Sequence, residues 1–196
     1  INNNFLDVQN GTLDLTGSYQ THTGNFNVAI GSQLNFNNGL ANFADGTSFT
    51  GGGVTQFNAG TWNFNGDISA DNLDFAGGTT TVAAGTTLTL TGTLGKISGG
   101  VLQGTGDVTI ASGTFGFTGG SLGVLGFTAV PGVSFEVANG ATLAVSGSAS
   151  KTVTARSVTN NGSITVAGTG NVTFQFGASL VNSAGSLIDL QSDADL

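Results

Sequence analysis

The residues able to do acid–base or metal chemistry are few and stand in separate groups. Asp67, Asp71 and Asp74 form the densest acidic group before the C-terminus. In a polysaccharide lyase such carboxylates would hold Ca²⁺ beside a Lys or Arg base, and paired carboxylates could also hydrolyse a glycoside. The bases on offer are Lys96, Lys151 and Arg156, of which Lys96 is nearest to Asp74 along the chain. Asp74 lies between Leu73 and Phe75 in an alternating pattern, so it reads as a residue of a solvated strand face. Asp189, Asp193 and Asp195 form a second group, read as an acidic solvated end rather than a weak Ca²⁺ site, which would need about 6–8 oxygen ligands. Gly104-Thr-Gly-Asp107 fails as a Ca²⁺-binding nonapeptide, because Asp107 directly follows the second glycine and no nine-residue recurrence exists. His22, in Tyr19-Gln-Thr-His-Thr-Gly24, reads as a surface residue of a polar turn. No Gly-x-Ser-x-Gly elbow supports a hydrolase triad. These readings leave no catalytic residue, no metal ligand and no cofactor site.

Composition narrows the partners. The chain has 196 residues, only 3 of them Lys or Arg against 11 Asp or Glu, for a net charge of −8. Three cations cannot neutralise a run of phosphates, which argues against nucleic acid, nor dock on an anionic lipid surface. No run approaches a membrane-spanning length. The absence of Cys removes disulfides and thiolate chemistry. A chain that opens at Ile1 with no basic-then-apolar leader reads as a processed product or an excerpt.

The elements that would carry any site are short strands. A glycine followed by two apolar residues one apart, then a small polar residue, recurs as Gly11-Thr-Leu-Asp-Leu, Gly31-Ser-Gln-Leu-Asn-Phe and Gly60-Thr-Trp-Asn-Phe. It returns at Gly85, Gly113, Gly140 and Gly162, with a degraded eighth copy in Gly185-Ser-Leu-Ile-Asp-Leu190. The mean spacing of about 25 residues is a solenoid period. Residues two apart share a strand face, so Leu13/Leu15, Leu34/Phe36, Trp62/Phe64, Leu88/Leu90, Phe115/Phe117, Leu143/Val145 and Ile164/Val166 should point inward, with Trp62 as core filler. Thr12, Thr61, Thr87, Thr89, Thr114, Thr142 and Ser163 should point outward and form a contact ladder. Further strands are expected at Val54–Phe57, Thr79–Val82, Asp107–Ile110, Ser134–Val137 and similar stretches, joined by Gly and Asn corners. The loosest part, Gly119–Gly132, holds the only proline, Pro131, and reads as a bulging loop. The expected fold is all-β: a single right-handed parallel β-helix over residues 1–196, of about eight coils. Its last coil shows no cap, so its ends would continue into further coils or stack on other molecules.

Ile97-Ser-Gly-Gly-Val-Leu-Gln-Gly-Thr-Gly-Asp-Val-Thr-Ile110 resembles the repeats of large bacterial β-helical exoproteins, as do Asn160-Asn-Gly-Ser-Ile-Thr-Val166 and Asn182-Ser-Ala-Gly-Ser-Leu187. That group includes filamentous-haemagglutinin-like adhesins and autotransporter passenger regions. The resemblance implies a secreted or surface-displayed rod and no catalytic residues. The expectation is therefore a non-catalytic structural or adhesive rod that pairs with itself end to end or edge to edge and touches host or matrix glycans. The alternatives are a carbohydrate-active β-helix enzyme, favoured by a carboxylate pair in a groove beside Lys96, and an ice-binding face, favoured by two regular Thr columns on one flat sheet.

Overall fold

A computed structural model describes residues 1–124 and 130–192. Among these residues every regular element is a short strand and every pairing is parallel. The pairings form a β-solenoid whose coils lay strands on three faces. The first face stacks Phe5–Val8, Asn25–Val28, Ser48–Thr50, Ile68–Asp71, Thr87–Thr91, Asp107–Ile110, Ser134–Val137, Ser157–Asn160 and Ser179–Asn182. The second face runs from Val54–Phe57 through Leu73–Phe75, Lys96–Ile97, Thr114–Phe117, Thr142–Val145 and Ser163–Val166 to Leu187–Leu190. The third runs from Thr61–Phe64 through Thr79–Val82, Val101–Gly104, Gly120–Gly123 and Lys151–Thr154 to Val172–Gln175.

The second and third faces merge in the first coils. Thr12–His22 and Gln33–Phe43 each run round the corner between them. The first half of Gln33–Phe43 pairs with Val54–Phe57 and its second half with Thr61–Phe64. The bend sits at Asn38 and Gly39, with φ of 59° and 107°. Asn tolerates the left-handed region because its short side chain can bond locally, and Gly lacks the clashing Cβ.

One apolar core runs the length of the rod. The expected inward residues are buried from Leu34 to Val166, Leu13 and Leu15 are half-buried against the core, and Trp62 is core as read from the sequence. Alternating burial is the cause: in Ser163–Val166 and Thr87–Thr91, residues two apart are buried and their neighbours are not. Phenylalanine dominates the first half, where rings stack from coil to coil. Phe36 lies over Phe57 at 5.1 Å, Phe57 over Phe75 at 5.9 Å, and Phe26 over Phe49 at 5.1 Å. Offset stacks of this kind add to the burial of the ring area itself.

The structure corrects several expectations. The first face holds nine strands among the described residues, so the rod has about nine coils rather than eight. The glycine-led motif is the reason, since it moves between faces. The copies at Leu34, Phe115, Leu143 and Ile164 lie on the second face, that at Trp62 on the third and that at Leu88 on the first. In the last copy Ile188, not Leu187, aligns with inward Ile164. Leu187 stands over Ser163 and is exposed, because a one-residue slip moves a side chain to the opposite face. The bulging loop expected at Gly119–Gly132 begins with the strand Gly120–Gly123, and its middle lies outside the described residues.

Corners are as tightly specified as the strands. Gly113 has φ of 76°, and a Cβ there would overlap the carbonyl oxygen of Gly92 in the coil before. Gly113→Ala combines left-handed strain with a backbone clash and should lower stability by about 2–4 kcal/mol. Thermal denaturation checks this, with Gly140→Ala as the contrast: Gly140 has a similar φ of 80°, yet nothing lies within 4 Å of its would-be Cβ.

Candidate functional site

Two of the three cations are spent inside the fold. Lys151 is fully buried, and its Nζ donates to the carbonyls of Ala149 (2.8 Å), Gly147 and Gly170 (both 3.5 Å). Burial holds its pKa below the ordinary lysine value. Arg156 is also buried, with Nη2 donating to Gly104 O (2.7 Å) and Gly106 O (3.1 Å) and Nη1 to Ser134 O (2.9 Å). Burial brings its pKa down to about 10, partly countered by Asp107, so it stays charged at neutral pH. Neither cation is presented to a substrate.

Lys96 is half exposed and stands 3.6 Å from Asp74. Their strands are in register on the second face, which places Lys96 beside Asp74 across 22 residues of chain. Asp74 is not solvated, as its alternation suggested, but buried. Gln56 Nε2 donates to its Oδ2 (3.0 Å) and Ser98 Oγ to its Oδ1 (2.6 Å). The network continues along the outward column of that face: Gln33 Nε2 donates to Gln56 Oε1 (2.9 Å) and to Asn35 Oδ1 (2.6 Å), and Asn35 Nδ2 to Asp14 Oδ1 (2.7 Å). Polar residues on successive coils thus bond laterally, as cross-strand pairs do in any sheet.

The acidic group around Asp67 does not converge. Asp67 and Asp71 flank and end one first-face strand, while Asp74 lies on the second face. Asp67 Oδ1 accepts from the backbone N–H of Thr87 (2.8 Å), and Asp71 from the hydroxyl of Thr91. Asp189 Oδ2 accepts from Gln191 Nε2 (2.7 Å), while Asp193 and Asp195 lie outside the described residues. Among the described residues no three His, Cys, Asp or Glu stand close enough to hold a metal ion.

His22 is a core residue rather than a surface one. It is 1% exposed, stacked on Phe43 at 5.2 Å and edge-on to Phe26 and Phe36. Asn2 N donates to its Nδ1 (2.9 Å), which places the imidazole proton on Nε2, a buried atom with no partner. Burial lowers its pKa to about 4. The alternation hides this role, because the strand's register shifts at Gly17 and again before Gln20, bringing His22 in line with Phe43.

The outward ladder divides among the three faces. Thr114, Thr142 and Ser163 stack in register on the second face, and Thr12 lies on that face beside Gln33. Thr61 faces Thr79 on the third face. Thr87 and Thr89 lie on the first, where their neighbours are Asp107 and Thr109 on one side. No single column joins them.

The third face instead carries a depression. Ser121 and Gly123 are small: Ser121 sits in register between Val101 in one coil and Thr152 in another, and Gly123 beside Thr154. The hollow has a volume of about 300 Å³ and is edged by Val124 and Gln175. Nothing in the sequence pattern singles it out, since it arises from the pairing of small with large residues in adjacent coils.

The chain matches no family model, no curated protein and no solved structure. What it can do therefore rests on the scaffold. It is a parallel β-solenoid, in keeping with the broad class of β-helical exoproteins.

Proposed function

We propose that the protein is a non-catalytic structural and adhesive rod of a bacterial exoprotein, displayed outside the cell and extended by coil-on-coil stacking. The observation that supports this reading is the stack of about nine coils paired in parallel around one apolar core, which leaves coil-on-coil contact as the way to lengthen the rod. Among the described residues the last strands of the three faces are Val172–Gln175, Ser179–Asn182 and Leu187–Leu190. Val181, Leu187 and Leu190 are 47%, 55% and 56% exposed there. An apolar hollow of about 30 Å³ in the core, lined by Phe174, Leu180 and Ile188 among others, reaches this coil. Strand edges and apolar side chains at a coil face are a template for a further coil, whether of the same chain or of another copy. The sides of the rod carry hydroxyls and amides already tied into lateral ladders, which suits a stiff spacer making weak, repeated contacts.

The enzyme reading draws on the Lys96–Asp74 contact. Both Asp74 oxygens are already engaged by Gln56 and Ser98, and Asp67 and Asp71 stand on another face. That arrangement favours a structural polar ladder. The ice-binding reading needs two regular Thr columns, whereas Thr87 stands over Asp107 and Thr109 over Glu136.

Leu190→Lys places a charge at the inward position above Val166 on the last described strand of the second face. Sedimentation velocity across a concentration series should show the parent chain growing into longer rods and the variant remaining small. Equal growth of both would remove the terminal coil as the joining surface.

A further inference from the structure

We infer that the third-face depression over Gly123 is a binding subsite for one residue of a neutral saccharide. This deepens the adhesive reading of the rod and rests on it. The floor is low because Gly123 has no side chain, and a Cβ there would come within 3.1 Å of the Thr154 carbonyl oxygen and Cβ. Around that floor stand two amides, Gln103 and Gln175, and three hydroxyls, Ser121, Thr152 and Thr154. Val101 and Val124 add an apolar edge. This mixture matches a sugar ring, whose hydroxyls exchange hydrogen bonds with amides and hydroxyls while its C–H face covers apolar carbon.

Charge sets the class of ligand. Among the described residues no ionisable side chain lines the hollow. Lys151, at the start of one flanking strand, turns its ammonium onto the buried carbonyls of Gly147, Ala149 and Gly170. An anionic or cationic ligand would lose water there without gaining a counter-charge, whereas a neutral polyol would not. The two amides are only loosely held in the lateral ladder. Gln103 Nε2 reaches Thr81 Oγ1 at 3.4 Å and Gln175 Nε2 reaches Thr154 Oγ1 at 3.3 Å, both long for hydrogen bonds.

The test is amide-resolved NMR titration of the full chain with maltotriose, cellotriose and chitotriose as neutral probes and trigalacturonate as the anionic one. At least one neutral trisaccharide should shift the amides of Val101–Gly104, Gly120–Gly123 and Lys151–Thr154 in a saturable way, with trigalacturonate silent. Ser121→Phe, which fills the hollow, and Gln103→Ala, which only removes an amide, should each weaken that binding by about tenfold or more. Gln103→Ala keeps the test meaningful if the larger substitution perturbs folding. Shifts confined to another face, a preference for trigalacturonate, unchanged binding by Gln103→Ala, or no shift with any neutral probe would each overturn the assignment. Rod growth in sedimentation is read separately, so a silent hollow with intact end-to-end growth would remove the subsite alone.

Discussion

Arg156→Met should destabilise the coils on either side of Arg156 by about 3–5 kcal/mol, because three charge-assisted hydrogen bonds to carbonyls are lost at once. The guanidinium binds carbonyls 22, 50 and 52 residues away in sequence, so it ties its own coil to the two before it. Methionine matches much of the volume and none of the donors, leaving Gly104, Gly106 and Ser134 carbonyls to lose their side-chain partners. Arg156 also follows Ala155, whose φ of 53° places a non-glycine residue in the left-handed region. That strain persists because the structure around it fixes the corner, and the Arg156 bonds are part of what fixes it. Arg156→Lys should recover little, since one ammonium cannot span three carbonyls in the fork geometry of a guanidinium. Hydrogen exchange checks this best, because solenoids open coil by coil. Asp107–Ile110 and Ser157–Asn160 should lose protection while Asn25–Val28 keeps it. Uniform protection in Arg156→Met would contradict the role.

Acidification should loosen the N-terminal coils before the rest of the rod. The neutral His22 imidazole accepts from Asn2 N, and protonating Nδ1 would set two N–H groups against each other inside an aromatic cage. Its folded pKa of about 4 lies below the ordinary 6.5. Between those values the unfolded segment binds more protons than the folded one, so stability falls as pH drops from about 6.5 to 4. Each pKa unit is worth about 1.4 kcal/mol, giving a loss of about 3 kcal/mol across the window and none above it. His22→Phe should abolish most of that slope while keeping the stack on Phe43. Hydrogen exchange of Asn25–Val28 at pH 7 and pH 4.5, corrected for intrinsic rates, distinguishes the two chains. Equal pH dependence in both would show that other groups control the N-terminal coils.

The fold was largely legible because a solenoid repeats one instruction. Alternation in Thr87–Thr91 or Ser163–Val166 marks a strand and its inward side, and Gly or Asn marks the corner. Strands with one large apolar residue, such as Ser157–Asn160 and Ile68–Asp71, gave too little alternation to be seen. The site was less legible. Alignment by motif put Thr61, Thr87 and Thr114 in one column, but register, which only pairing reveals, put them on three faces. Asp74 and His22 read as surface groups because their types favour water, and Lys151 and Arg156 read only as bases on offer. The burial of Asp74 and Arg156 depends on amides and carbonyls supplied by other coils, 18 to 52 residues away in sequence. Local sequence carries no record of such partners.

The proposed coil-on-coil extension of the rod along its axis follows from the stacking of like coils. Electron microscopy of the purified chain over a concentration series tests it most directly. Unbranched fibres one rod wide, lengthening with concentration and showing a meridional repeat of about 4.8 Å, are the predicted result. Rods of one fixed length at every concentration, or sheets formed by side-to-side packing, would contradict it.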